Sequence, residues 1–235
     1  MRLGALLPLA LLAACSGERE PEAARSATPT IAAPRTLVAA DLDLGTLGAR
    51  IAGMDVTDQE AGDGLAKVSA FVACPKAMSA CEPATVPEGS VFTYVLTVTP
   101  QVAPQPTPPP TPTATSTTTA TDAAVVPMTA PAELVRMTRP APGFNAAAGF
   151  SRAEATAALG AEDALTLTLD QNQLIWRVTD GTGWQAGKPI TFWWQSTRAP
   201  EKPSASYRLE YGGKGANIRA PFPAADKPVE PTSAR

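Results

Sequence analysis

The sequence predicts an all-β protein, built as an antiparallel β-sandwich with one short helix. Short runs alternate polar and apolar residues, as in ALTLTL at 164–169 and LIWRVT at 174–179. Other runs are rich in β-branched and aromatic residues, as in VFTYVLTVT at 91–99. Turn residues separate these runs, and no strand–helix–strand alternation occurs. Together these observations favour antiparallel strands in two packed sheets.

The first part of the chain contains three candidate strands. Residues 47–56 alternate up to Gly53, where the change of phase indicates a bulge. Residues 65–74 (LAKVSAFVAC) are typical of a buried strand, and a turn at 87–90 leads into residues 91–99. The last stretch resembles a strand of the immunoglobulin-like repeats of bacterial surface proteins. That resemblance implies an immunoglobulin- or fibronectin-like sandwich.

The second part begins with a candidate strand at 133–138 and the clearest helix signal in the chain. Ser151 is a good N-cap, and Glu154 follows at the spacing of a capping box. Gly160 is suited to end the helix in the left-handed conformation. The pattern therefore predicts a helix over residues 151–159.

The remaining strands follow the helix closely. Residues 164–169 and 174–179 are predicted to form a hairpin with a four-residue connection at 170–173. Two more strands are predicted at 189–196 and 206–211. The sum of about eight or nine short strands is typical of a sandwich.

A proline- and threonine-rich segment at 100–122 interrupts the pattern. It lacks the apolar residues of a core and is predicted to be a disordered, solvated insert. A glycosylated stalk or a proline-rich ligand for a partner are alternatives. The flanking residues 36–99 and 132–219 are predicted to be two halves of one interrupted domain, with two small domains as the alternative. Residues 220–235 are predicted to be a disordered tail.

The N-terminal residues have the features of an export signal. Arg2 precedes an apolar run too short to span a bilayer. The run ends in Leu12-Ala13-Ala14-Cys15, which resembles the lipobox of bacterial lipoproteins. The resemblance implies removal of residues 1–14 as a signal peptide and acylation of Cys15 with palmitate-type chains. An ordinary cleaved signal with a chance cysteine is the alternative.

The residues after the lipobox predict where the domain stands. Ser16 in place of aspartate implies, by analogy with proteobacterial lipoproteins, the outer membrane, with the domain facing the periplasm or the surface. Residues 15–35 are polar and rich in proline and alanine, as expected of a lipidated tether. The formal net charge of −3 argues against nucleic acid as a partner. Membrane attachment is therefore expected to rest on the lipid anchor and not on a basic patch.

The absence of histidine excludes several kinds of chemistry. No Ser-His-Asp or Cys-His nucleophile, imidazole metal ligand or histidine pH switch is available to a chain with 0 histidines. No cofactor and no metal site are predicted. Cys74 and Cys81 are close in sequence and expected in an oxidising compartment, so they are predicted to form a disulfide. Redox or metal chemistry and free thiols are the alternatives.

A cluster of acidic residues is a second candidate site. Asp55, Asp58, Glu60 and Asp63 lie in one short stretch, but their spacing does not match an EF-hand loop. A solvated acidic turn is the simpler interpretation, with a weak calcium site as the alternative.

The tryptophans suggest a binding platform. Alternation places Trp176, Phe192 and Trp194 towards the core and Trp193 on the opposite face. Polar residues share that predicted face, and Trp184 lies on a glycine-flanked loop nearby. A flat ring beside planar polar groups suits a saccharide or a peptide. The alternative is that other parts of the chain cover Trp193. The candidate platform comprises Trp193, Arg177, Gln195, Arg208 and Trp184.

These observations favour a non-enzymatic binding or adaptor module in the cell envelope, with a glycan or an envelope protein as partner. No catalytic residue is predicted. One alternative is a carboxylate-based hydrolase of envelope glycans, which requires two acids facing one cleft. The other is a purely structural surface protein that engages a partner through residues 100–122.

Overall fold

The computed structural model describes residues 33–76, 78–101 and 134–225. These residues belong to one compact unit. Several predicted segments lie outside the described residues: the signal peptide, the tether up to residue 32, most of the insert and the last ten residues of the tail.

The described residues form strands, one α-helix and one short 3-10 helix. The 3-10 helix is Leu44–Thr46 and the α-helix, α1, is Arg152–Leu159. The strands are β1 (Arg35–Leu37), β2 (Val56–Ala61), β3 (Ala66–Ala73), β4 (Phe92–Pro100), β5 (Leu134–Met137), β6 (Phe144–Phe150), β7 (Leu165–Asp170), β8 (Gln173–Val178), β9 (Ile190–Ser196), β10 (Pro200–Tyr211) and β11 (Lys214–Pro223).

The strands form two sheets. The six-stranded sheet has the order β1-β7-β8-β5-β10-β11, and the five-stranded sheet has the order β2-β3-β4-β9-β6. Neighbouring strands in both sheets pair antiparallel. The predicted antiparallel β-sandwich with one short helix is therefore confirmed.

Both sheets draw strands from the two sides of residues 102–133. In the five-stranded sheet β4 pairs with β9 along its length, from Phe92 opposite Ser196 to Val98 opposite Ile190. In the six-stranded sheet β1 pairs with β7. The two parts of the chain therefore contribute to the same pair of layers.

Aromatic side chains fill the space between the sheets. Trp194 of the five-stranded sheet stacks on Tyr94 at 4.8 Å between ring centroids and donates a hydrogen bond of 2.9 Å from Nε1 to the hydroxyl of Tyr207. Trp176 of the six-stranded sheet packs against Phe192 and donates from Nε1 to the carbonyl of Gly149 at 3.0 Å. Both indoles thus link the two layers as well as filling the core.

Helix α1 has the ends that the sequence predicts. Ser151 has extended backbone angles and its side chain accepts a hydrogen bond from the backbone N–H of Glu154. Gly160 is left-handed, with a φ of 80°. The other half of the predicted capping box differs, because the Glu154 carboxylate accepts from the backbone N–H of Thr191. That bond connects the helix to β9.

Four strands were not predicted. β1 begins at Arg35, the last residue of the predicted tether, and pairs with β7. β2 lies in the acidic stretch that was interpreted as a turn, and its acidic residues are exposed because it is an edge strand. β6 has the sequence FNAAAGF, whose alanines and glycine have low β propensity. β11 follows a turn at Gly212-Gly213 and continues to Pro223.

The start of the predicted tail is also corrected. Residues 220–223 belong to β11, and Phe222 is fully buried against the rings of Trp194 and Tyr207. Pro221 and Pro223 are tolerated because β11 is an edge strand, where proline costs no ladder hydrogen bond on the open side.

The β7–β8 hairpin is tighter than expected. Its connection is Gln171-Asn172 and not four residues, since Asp170 pairs directly with Gln173. Gln171 and Asn172 have φ values of 47° and 60°. Two consecutive positive φ values are the signature of a type I′ turn, which matches the twist of the flanking strands.

The predicted disulfide joins Cys74 to Cys81, with 5.6 Å between their Cα atoms. Cys74 follows β3, and both cysteines are buried. The bridge therefore holds the excursion at 75–80 against the end of that strand.

Replacing both cysteines with serine (Cys74→Ser with Cys81→Ser) is expected to lower the free energy of unfolding by about 2.5 kcal/mol, the chain-entropy value for a loop of this size. Urea denaturation of the two proteins measures the difference. The wild-type protein under reducing conditions is the matched control and should lose a similar amount. An unchanged midpoint in both would contradict a stabilising role for the bridge.

Candidate functional site

The five residues of the predicted platform do not share one surface. Trp193 and Gln195 lie on β9 in the five-stranded sheet, whereas Arg177 on β8 and Arg208 on β10 belong to the six-stranded sheet. Each alternates with residues of the core between the sheets and so lies on the outer face of its own sheet. The two outer faces are on opposite sides of the sandwich, and Trp184 is buried.

Trp193 is buried, as the alternative interpretation has it, and does not form an open platform, because only 4% of its surface is accessible. The register sets Trp193 between Val95 on β4 and Gly149 on β6. Glycine leaves room for a large neighbouring ring on an edge strand. The indole N–H of Trp193 is buried and has no hydrogen-bond partner among the described residues.

The path of the N-terminal part of the sandwich explains this burial. Ala40 bonds to the carbonyl of Ala148 beside β6, and the carbonyl of Ala49 accepts from Cys74 at the end of β3. The chain between Ala40 and Ala49 therefore crosses from one edge of the five-stranded sheet towards the other. The core between the sheets occupies the inner face of the five-stranded sheet. We therefore infer that residues 40–49 cross its outer face, and we attribute the burial of Trp193 to this crossing.

The other platform residues have local partners. Gln195 accepts from Asn145 and donates to Thr93, both at 3.3 Å. Arg208 forms an ion pair with Glu210 at 3.3 Å. The Nε1 of Trp184 donates to the carbonyl of Lys188 at 2.9 Å. Arg177 is exposed on β8.

A groove of about 440 Å³ with mixed polar and apolar walls lies on the outer face of the five-stranded sheet. Its floor is a row of hydroxyl groups. Ser69 of β3 is opposite Thr97 of β4, and Thr97 is opposite Thr191 of β9. The hydroxyl oxygens of Thr97 and Thr191 are 2.9 Å apart and share a hydrogen bond. The floor therefore offers groups that both donate and accept.

An arginine stacked on an aromatic ring borders one end of the groove. The Arg50 guanidinium carbon is 3.8 Å from the ring centroid of Phe71. Arg50 holds this place because its backbone forms an antiparallel bridge with Ala73 beyond the end of β2. Stacking fixes the guanidinium plane and leaves its N–H groups for an acceptor.

Two carboxylates line the same groove. Asp55 precedes β2 and is exposed, whereas Glu154 in the first turn of α1 is half-buried. Glu154 Oε2 accepts from the backbone N–H of Thr191 at 2.6 Å, a bond short enough to fix the carboxylate at the end of the hydroxyl row.

The acidic stretch does not form a metal site. Among residues 33–76, 78–101 and 134–225, no group of three or more histidine, cysteine, aspartate or glutamate side chains is arranged to hold an ion. Asp58 has a φ of 45° and lies in a register shift of β2, where its backbone N–H donates to Ser69 Oγ. The position of Asp58 is therefore accounted for by strand geometry.

Two further observations bear on the functional class. None of the helices in the described part of the chain is long and apolar enough to cross a membrane. Comparison with family models, curated proteins and solved structures finds no match to this chain.

Alternation alone could have placed Ser69, Phe71 and Thr97 on one face of their strands. It could not have brought Arg50 and Glu154 to them, because that depends on the register between β3, β4 and β9 and on the position of α1.

Proposed function

We propose that this protein is a lipid-anchored envelope protein whose sandwich is a non-enzymatic binding or adaptor module. The anchor would be acyl chains on Cys15, and the outer membrane its location. The leader ending in Leu12-Ala13-Ala14-Cys15 supports the anchor. The groove, with Arg50 presented on Phe71, supports a binding role, because a guanidinium held in place without an ion-pair partner among the described residues is suited to a ligand.

Metabolic labelling with an alkyne-bearing palmitate analogue tests the anchor. The full chain should be labelled, and Cys15→Ser should abolish the label because it removes the acylated sulfur. The double variant Cys74→Ser with Cys81→Ser is the matched control and should keep full labelling. Equal labelling of the Cys15→Ser variant would overturn lipidation at this residue.

A carboxylate-based hydrolase is a second candidate, favoured by the presence of Asp55 and Glu154 in one groove. Glycosidases use two carboxyl groups, one as acid and the other as base or nucleophile. The Glu154 carboxylate is already bonded to the backbone of β9, which favours a positioning role in the fold.

Release of reducing ends from purified peptidoglycan separates the two functions. The binding role predicts no release by the full chain above buffer. Release that disappears in both Asp55→Asn and Glu154→Gln, but persists in Asp180→Asn outside the groove, would replace the binding role with the hydrolase.

A further inference from the structure

We propose that the groove on the five-stranded sheet binds a short zwitterionic peptide, with its carboxylate at Arg50 and its amino group at Glu154. The proposal rests on the binding role proposed above and specifies the class of ligand. It depends on the length of the groove, on the charges along it and on the hydroxyl floor between them.

The length of the groove suits about three peptide residues. The hydroxyl row crosses three adjacent strands, from β3 through β4 to β9. The Arg50 guanidinium lies over Phe71, two residues along β3 from Ser69, whereas Glu154 bonds to Thr191, two strands away. Two strand spacings of about 4.8 Å and two residues of about 3.3 Å along the strand put the two charged groups roughly 12 Å apart. Three extended residues at about 3.3 Å each cover most of that distance, and the hydrogen bonds at the two ends cover the rest.

The charges require a ligand that carries both signs. Arg50 is exposed, and no carboxylate of the described residues lies within ion-pair distance of it. Its planar fork matches a carboxylate, with which it can form two parallel hydrogen bonds. Asp55 and Glu154 give the groove one more negative than positive charge. An anionic ligand without an amino group would therefore meet net repulsion.

Glu154 is the better of the two carboxylates for an ammonium group. Its Oε2 is taken by the Thr191 N–H, which leaves Oε1 facing no described partner. The carboxylate is half-buried, so a charge-assisted bond there is screened less than one at the exposed Asp55.

The floor and the walls favour a peptide over a sugar. Peptide N–H and C=O groups alternate along a chain. The partly exposed hydroxyls of Ser69 and Thr97 each keep an acceptor lone pair for a peptide N–H, and Thr97 can donate to a peptide C=O when Thr191 donates to it. A sugar would be expected to use an open aromatic face, as was predicted for Trp193. Trp193 is buried, and the ring of Phe71 is already covered by Arg50.

Calorimetric titration of the full chain in detergent with tri-alanine tests the assignment. Binding is expected, and Arg50→Gln and Glu154→Gln should each weaken it roughly tenfold to a hundredfold, the range for loss of a charge-assisted hydrogen bond. Arg177→Gln, an exposed arginine on the opposite sheet, is the matched control and should bind normally. If Glu154→Gln disturbs the fold, its far-ultraviolet circular dichroism will change. The affinity of Arg50→Gln for tri-alanine then decides whether the assignment stands.

Blocked peptides assign the two ends independently of any variant. N-acetyl-tri-alanine should bind weakly to the wild-type chain and lose nothing further in Glu154→Gln. Tri-alanine amide lacks the carboxylate, so it should bind weakly to the wild-type chain and lose no further affinity in Arg50→Gln. Binding that is insensitive to both blocks would overturn the assignment of the ends.

Titration with saccharides separates the peptide proposal from the more general binding role. Binding of chitotriose or glucuronic acid but not tri-alanine, weakened by Arg50→Gln, would overturn the peptide class while the binding role stands. Binding of none of the probes would overturn the peptide proposal. The palmitate label tests the anchor separately and is unaffected by either result.

Discussion

Replacing Trp176 with alanine is expected to lower the free energy of unfolding by roughly 4 kcal/mol, within the range for truncating a buried large aromatic residue. Trp176 is 1% exposed and lies on β8, an interior strand of the six-stranded sheet. Its ring packs on Phe192 of the other sheet, and its Nε1 bonds to the carbonyl of Gly149. The substitution removes packing and the hydrogen bond by which β8 is joined to the buried Gly149 carbonyl.

Urea denaturation, analysed at fixed m value, measures this change. Trp176→Phe is the matched control, since it keeps most of the apolar volume but cannot donate the hydrogen bond. Trp176→Phe should lower the free energy of unfolding by less than half as much as Trp176→Ala. The difference separates the contribution of packing from that of the hydrogen bond to Gly149. A loss below about 1 kcal/mol for Trp176→Ala would contradict the central position of this indole, because surface substitutions fall in that range.

Raising the pH above 10 is expected to destabilise the fold through two buried tyrosines. Burial raises the pKa of Tyr94 far above its ordinary value of 10.0, and nearby Tyr207 and Glu201 raise it further. Burial also raises the pKa of Tyr207, although its hydrogen bond from Trp194 and the charge of Arg139 oppose this. The unfolded chain therefore loses both phenolic protons at a pH where the folded chain keeps them.

The direction of the effect follows from proton binding. Below pH 10 both states hold the protons, and the stabilising contribution is complete. Above it, each phenol lowers the free energy of unfolding by up to about 1.4 kcal/mol per pH unit until the pKa of the folded state is reached. Two such groups give a combined slope of up to about 2.7 kcal/mol per pH unit.

Urea denaturation between pH 9 and roughly pH 11.5 measures that slope. Tyr94→Phe and Tyr207→Phe should each reduce it by up to half, whatever their effect on stability at neutral pH. The comparison of slopes is informative because other titrating groups are common to all three proteins. An identical slope in both variants would contradict the burial of these phenols in the folded state.

The alternating strands were predictable because their side chains obey the two-residue period. In residues 165–170 the leucines are buried and the threonines are partly exposed, as the sequence LTLTLD predicts. The helix was predictable for a different reason: its caps at Ser151 and Gly160 are local features. Periodicity and caps can be recognised without knowledge of the rest of the chain.

The strands that were missed depend on distant partners. β6 has little β propensity of its own and is held by β9 on one side and by the bridge from Ala40 on the other. A Cβ at Gly149 would overlap the carbonyl oxygen of Ala40. Glycine is therefore needed here because the two backbones lie close together, and it does not mark a loop. β11 contains two prolines, which in the sequence alone indicate a disordered tail. Only its position at the edge of the sheet makes them compatible with a strand.

The site was only partly predictable for the same reason. Alternation correctly placed Trp193 opposite the core, but alternation reports a face of a sheet and not what covers it. The crossing between Ala40 and Ala49, to which we attribute the burial of Trp193, depends on non-local hydrogen bonds. The groove likewise brings together Arg50, Thr97 and Glu154, which are far apart in sequence.

The pairing of β4 with β9 and of β1 with β7 also determines the order in which this protein can be assembled. A ribosome or an export channel that has delivered only the residues up to 101 has released β4 paired with β3 but without β9, its partner on the other side. Neither layer can close before residues 190–196 have emerged, so folding is expected to follow delivery of nearly the whole chain. Long-range pairing of this kind folds slowly, and until it forms the open edge of β4 is exposed to aggregation, chaperones and proteases.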